Sequence, residues 1–320
     1  MDEKITFEPL HRFGVEIEVN SFDMRNRPHP TGQEALPEGI HYLGYLIQKN
    51  VEEKVLITKW GNNHDNNYWV IKPDSSCGME VCSPVLKGWM GIKKITKIVS
   101  ILDDDEMVIS DNRCSFHVHV DVSNFSSTQI NAILSWWIKC EAVFMDAMSA
   151  SRKVNQYCRL IAHTDVIKDV STLLGTNDLI ERLGTSKYYS LNSFHLYNNR
   201  RKTVEFRIMD NQCCKDPHMA FNWTALILLF VNRVVNLGLP EAYTKNKPLT
   251  GYCWLDPLDV FDILGFLKKE DQLIETNLLG VRNWFLSALS KNVNNSKLGV
   301  FGKIARGKSM DQIKQLQTNI

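Results

Sequence analysis

At 320 residues, with 44% hydrophobic and 23% charged side chains, the chain can bury a sizeable core and has the make-up of an ordinary globular protein. Its 37 basic and 36 acidic residues leave a net charge of +1, which argues against a general electrostatic grip on nucleic acid and leaves room for a local basic patch. The eight cysteines contain no CxxC, and a chain of this length does not need a disulfide scaffold, so they read as reduced thiols used mostly for packing. Met1 to Ile5 hold no apolar signal region, and the longest apolar run, Ala225 to Val231, is far shorter than a membrane span. Both points predict a soluble, cytoplasmic protein.

In chain order, residues 5–20 predict a strand introduced by Gly14, in which Glu16 and Glu18 share one face and Val15, Ile17 and Val19 the other. The stretch 21–38, with Pro28, Pro30 and Pro37, reads as a loop. Ile40, Leu43 and Ile47 recur at helical spacing over 38–50. Val55 to Ile57 predicts a strand, 61–67 a polar turn, and Tyr68 to Ile71 a further extended segment. Residues 72–78 read as a loop before a strand from Met79 to Pro84 that carries Glu80. A helix follows over 88–103, then a strand over 114–122 that alternates Phe116, Val118 and Val120 with His117, His119 and Asp121.

Ser126 or Ser127 is placed to cap a helix over 127–149. Short helices and polar connectors fill 150–186. Tyr188 to Asn192 lies just upstream of a strand over 203–208, where Val204, Phe206 and Ile208 alternate with Thr203, Glu205 and Arg207. A long helix covers 217–236, residues 238–251 resemble a linker, and 252–320 is mostly helical. The predicted class is α+β: strands with one apolar and one ionisable face, forming a sheet with a dry side and a chemical side. The predicted division is 1–250 and a helical extension, 251–320.

Each ionisable pair has a bland reading. A lone ExE is more often a solvated strand face, although paired carboxylates suit a hard divalent cation such as Mg²⁺. The HxH of His117 and His119 could bind zinc, but no H-E-x-x-H and no obvious third ligand accompany it. Glu205 and Arg207 could be a plain ion pair, or could hold a phosphoryl oxygen beside a metal. Gly302 to Ser309 satisfies the P-loop pattern G-x-x-x-x-G-K-[ST], yet only Leu298 to Phe301 could supply its strand and eleven residues follow it. A basic C-terminal segment is the preferred reading there.

Taken together, the blocks resemble a known family. Gly14-Val15-Glu16-Ile17-Glu18, Trp69 to Ser75, Gly78-Met79-Glu80-Val81-Cys82-Ser83-Pro84, Ser115 to Val120, Lys187 to Asn192 and Thr203 to Arg207 come in the order seen in the amidoligase family, carboxylate–amine ligases related to glutamine synthetase and glutamate–cysteine ligase. Three positions depart from the usual pattern: Ser75-Ser76 where Gly is frequent after the Asp, Ser115-Phe116 before the first His, and Lys187 where Arg is common.

The resemblance, which covers roughly 12–236, implies a curved antiparallel β-sheet of the glutamine synthetase type, backed by helices, with 1–250 as the catalytic domain. It implies an ATP-dependent ligase forming an amide or isopeptide bond through an acyl phosphate, with Mg²⁺ (or Mn²⁺). Glu16, Glu18, Glu80, His117 and Glu205 are then metal ligands, and Glu16, Glu18, Glu205 and Arg207 the catalytic set. Arg207, His119, Asn192 and Tyr189 are candidates for nucleotide or substrate contacts, and Asp74 for the amine end. The implied partners are a carboxylate and an amine (amino acid, peptide or polyamine), with neither nucleic acid nor membrane, and the C-terminal helices offer a surface for oligomerisation. Competing readings are a phosphotransferase of the same fold that stops after phosphorylation, an idle binding scaffold, and a zinc hydrolase around His117 and His119.

Overall fold

The computed structural model describes residues 7–21, 37–58, 67–161, 178–240, 255–267, 276–292 and 311–318. The P-loop-like segment 302–309, most of the 21–38 loop, the 61–67 turn up to residue 66, and 241–251 of the linker-like stretch lie outside these residues. The fold is mixed α/β, with eight strands whose pairing is mostly antiparallel, backed by helices. It divides into two compact units, one comprising Leu10–Val120 and Met209–Thr224, the other Asp121–Ile208, residues 7–9 and the described residues from Ala225 on.

In the first unit the strands are β1 (Phe13–Ser21), β2 (Val55–Ile57), β3 (Trp69–Asp74), β4 (Gly78–Cys82), β5 (Val108–Ile109) and β6 (Ser115–Asp121). They run β2-β3-β4-β1-β6 across the sheet, with β5 paired to β1. Alternation built this sheet as expected. Val15, Ile17 and Val19 of β1, Met79 and Val81 of β4, and Phe116, Val118 and Val120 of β6 are all at most 2% exposed, and form one apolar face. The helices α1 (Pro37–Asn50) and α2 (Gly88–Asp103) match their predicted ranges. The periodic Ile92, Ile95, Ile98, Val99 and Leu102 of α2 are buried.

Three details differ from the sequence reading. Strand β3 continues through Pro73 to Asp74, where a loop was expected. Proline lacks an N–H, but β2 pairs only with Trp69 to Ile71, so no ladder bond is lost on that side. Strand β2 runs parallel to β3, against the all-antiparallel expectation; alternation fixes the buried face of a strand but not the direction of its neighbour. β5, two residues long, is too short to show any period.

In the second unit α3 (Ser127–Asp146) starts at a capping box, in which Ser126 Oγ accepts from Gln129 N at 3.2 Å and Gln129 Oε1 accepts from Ser126 N at 2.9 Å. It ends at Asp146, three residues before the predicted end. Short helices follow at 152–154 and 156–158, then α4 (Asp178–Leu183), β7 (Leu191–Asn192), α5 (Phe194–Tyr197), and β8 (Thr203–Asp210), which is antiparallel to β7. The long helix α6 (Pro217–Leu237), whose later part belongs here, has the length and composition of a membrane span; residues 223–231 are nevertheless all buried in the protein. Its Phe230 meets Trp137 of α3 edge-on at 5.6 Å, and Trp137 meets Phe206 of β8 at 4.8 Å. Among the described residues the tail forms α7 (Pro257–Leu264), α8 (Thr276–Asn292) and a helix over 311–318. Phe285 of α8 stacks on Phe144 of α3 and on Phe261 of α7 at 5.3 and 5.4 Å. The seven described cysteines are buried.

Candidate active site

The ionisable face of the first unit is assembled by strand register. On β1, Glu16 lies opposite Cys82 of β4 and His117 of β6, while Glu18 lies opposite Glu80. On β3, Lys72 lies opposite Glu80. Because the pleat puts alternate side chains on one face, Glu16, Glu18, Glu80, Cys82, Lys72, Ser115, His117 and His119 point to the same side. That side is not solvated: Glu18, Glu80, His117 and His119 are between 2% and 9% exposed. The solvated-face reading of the ExE pair therefore fails.

Contacts on this face are short. His119 Nε2 lies 3.3 Å from Glu16 Oε1, His117 Nδ1 3.5 Å from Glu16 Oε2, and His117 Nε2 4.0 Å from Glu18 Oε1. The Ser115 hydroxyl donates to Glu18 Oε2, and its oxygen lies 2.7 Å from His117 Nε2. Since the one hydroxyl proton goes to the carboxylate, the Nε2–H of His117 must donate to Ser115. Its other ring nitrogen, Nδ1, faces Glu16. A partner that takes one ring N–H and so fixes the ring is the usual setting of a ligating histidine.

The Lys72 ammonium reaches Glu80 Oε2 at 3.0 Å, and Cys82 Sγ donates to Glu80 Oε1 at 3.0 Å. Burial alone would raise the Glu16 carboxyl, but His119, His117 and Lys72 outweigh it and hold the group well below the usual range. Lys72 loses some charge stability to burial, but Glu80 and Glu16 more than restore it and push its pKa up. Burial also pushes up the thiols of Cys82 and Cys77, helped at Cys82 by Glu80 and Glu16 and at Cys77 by its hydrogen bond with Cys114 and then by Glu18 and Asp74.

Among the described residues of the first unit alone, two sets of donor atoms are close enough to share an ion: Glu16, Glu80 and Cys82, and Glu18, Asp74 and Cys77, each within 4.8 Å of one another. Each set offers two carboxylates and one thiol; with the thiols held protonated by burial, the donors left are carboxylate oxygens, which fit a hard divalent cation better than zinc. Asp74 has a second duty. Its Oδ1 accepts from Ser76 N at 2.7 Å and Cys77 N at 3.2 Å, and so closes the turn from β3 to β4.

In the second unit Asn192 Nδ2 donates to Glu205 Oε2 at 2.5 Å, and the Arg207 guanidinium pairs with Glu205 Oε1. The Arg207 Nε–H reaches Tyr157 O at 3.4 Å, and the backbone of Arg207 is held from both sides: its N–H donates to Ser190 O at 3.0 Å, and its carbonyl accepts from Arg152. Ser190 is itself fixed from behind, accepting from Trp137 Nε1 at 3.0 Å and donating to the fully buried Glu141 at 2.5 Å. Tyr189 is 5% exposed, under the Arg159 guanidinium at 5.7 Å, whereas its neighbour Tyr188 is 38% exposed.

The structure thus brings Glu16, Glu18, Glu80, His117 and His119 together in one unit, and Asn192, Glu205 and Arg207 together in the other. Sequence reasoning missed Lys72, Cys77, Cys82 and Ser115. Ending the strand before Pro73 hid Lys72, although a hairpin turning at 75–77 puts it opposite Glu80. Ser115 was legible as the residue two before His117 on the same face.

A family model described as "Putative amidoligase enzyme" matches residues 9–224. Nothing among curated proteins matches the chain. Nine chains of solved structures match. One is a bifunctional glutathione synthetase from Pasteurella multocida, with 9% sequence identity and a TM-score of 0.42 over 97% of this chain and 52% of that one. This chain therefore spans about half the length of that enzyme.

Proposed function

Because the chain belongs to the amidoligase family, we propose that it is an ATP-dependent carboxylate–amine ligase of the glutamine synthetase type, which forms an amide bond through an acyl phosphate. The observation that carries this reading is the buried face on which Glu16, Glu18 and Glu80 crowd together while Ser115 turns the Nδ1 of His117 toward Glu16. Gathering like charges out of water is costly, and a cation repays it.

In this reading Glu16, Glu18, Glu80 and His117 hold Mg²⁺ or Mn²⁺, and Glu205 is a further candidate ligand. Bound there, the cation supplies charge neutralisation for the phosphate oxygens of ATP. Arg207, its backbone clamped and its guanidinium aligned by Glu205, meets the phosphoryl group as it moves from ATP to the carboxylate. Asn192 keeps Glu205 in place by its 2.5 Å bond. His119, beside Glu16, is the group on this face suited to a substrate or nucleotide contact. Phosphoryl transfer depends on positioning and charge more than on covalent chemistry, which agrees with a face of carboxylates, imidazoles and cations rather than an activated nucleophile. The amine then attacks the acyl carbon and phosphate leaves, with a carboxylate taking the amine proton.

The test is trapping. Incubated with ATP, Mg²⁺, a panel of carboxylic acids and hydroxylamine, the protein should release ADP and yield an acyl hydroxamate with the true acid. ADP without any hydroxamate would transfer the weight to a phosphotransferase.

A further inference from the structure

Beyond the ligand set stands a cation that the reading above does not use. Lys72 projects from β3 onto the ionisable face, opposite Glu80, with its side chain 20% exposed and its ammonium 3.0 Å from Glu80 Oε2. Glu80 is one of the three donors, with Glu16 and Cys82, whose ligand atoms lie within 4.8 Å of one another. Lys72 therefore holds one of the two oxygens of a carboxylate that a divalent cation would need, and lies within electrostatic reach of the second carboxylate, Glu16. We propose that Lys72 is the resident counter-ion of this site: its ammonium neutralises the Glu80 carboxylate and is displaced from it when a divalent cation enters. This rests on the reading that Glu16 and Glu80 take such a cation, and not on the identity of the reaction.

Two consequences follow from charge alone. An ammonium a few ångströms from an incoming dication repels it and competes for its ligand, so Lys72 weakens metal binding in the absence of nucleotide. Once released from Glu80, the same ammonium on its flexible four-carbon stem is an anion-binding group at the edge of the site, suited to a phosphate oxygen. Metal entry thus uncovers a cation for the phosphate that follows.

The experiment titrates the full chain with Mn²⁺ alone, following free Mn²⁺ by electron paramagnetic resonance, for the wild type, Lys72→Met and Lys72→Arg. Lys72→Met should bind Mn²⁺ about tenfold more tightly, and Lys72→Arg within about twofold of the wild type. An unchanged or weaker affinity in Lys72→Met overturns the proposal. A second measurement needs no variant: acetylation of Lys72 by a water-soluble anhydride, read by mass spectrometry, should speed up when Mn²⁺ is added to the wild type. No change in that rate overturns the proposal even if Lys72→Met does not fold. Absence of Mn²⁺ binding by both the wild type and a folded Lys72→Met is a different outcome; it overturns the cation site itself and this inference with it.

Discussion

Single residues in this protein owe their state to a few neighbours, and Asp111 offers the cleanest test of that dependence away from the candidate site. Burial alone would raise its carboxyl, but Arg113 donates to both oxygens, at 3.0 and 2.6 Å through Nε and Nη2, and the net effect lowers it. A depressed folded-state pKa contributes stability that is fully present above the unfolded value near pH 4 and is lost as pH falls through the folded value. Asp111→Asn keeps the acceptor oxygen and removes the charge. It should destabilise the protein at neutral pH, by less than about 1 kcal/mol because the pair is partly exposed, and the deficit should vanish in acid. Urea denaturation followed from neutral pH into acid reads this directly; a deficit that does not shrink as the pH falls would mean that the charge is not its source.

At the scale of elements, the helices depend on their ends as much as on their apolar faces. The capping box of Ser126 and Gln129 satisfies two backbone N–H groups that would otherwise be orphaned at the start of α3. Ser126→Ala should cost about 1 kcal/mol of stability, read as a lower urea midpoint with unchanged slope. An unchanged midpoint would show that solvent caps the helix equally well. This cap was legible in the sequence, as were α1, α2, α6 and strands β1, β4, β6 and β8, because each carries a period of 3.6 or 2 over enough residues to be read. β5 and β7 were not, since two residues carry no period. Within the site, Glu16, Glu18, Glu80, His117, Glu205 and Arg207 were visible as polar residues on alternating strands. Lys72 and the thiols Cys77 and Cys82 were not, because their meaning lies in cross-strand register: Lys72 against Glu80 and Cys82 against Glu16 are facts of pairing, not of spacing.

Across the whole molecule, each unit combines an apolar layer with a polar one. In the first, the strand face opposite Val15, Ile17, Val118 and Phe116 gathers the carboxylates and imidazoles. In the second, the Trp137, Phe206 and Phe230 cluster lies behind β8, whose alternate residues are Glu205 and Arg207. The described tail helices share this second core through Phe261 and Phe285, and Asn292 Nδ2 donates to Ala147 O at 2.8 Å. These arrangements agree with the proposal of a metal- and ATP-dependent ligase, whose central claim is that Glu16 helps to bind a nucleotide through a divalent cation. Calorimetric titration of ATP, with and without Mg²⁺, into the wild type and Glu16→Gln tests it most directly. The account predicts ATP binding that requires Mg²⁺ in the wild type and is lost in Glu16→Gln while the variant remains folded. ATP binding that ignores both Mg²⁺ and the substitution, or no binding by the wild type at all, would contradict it.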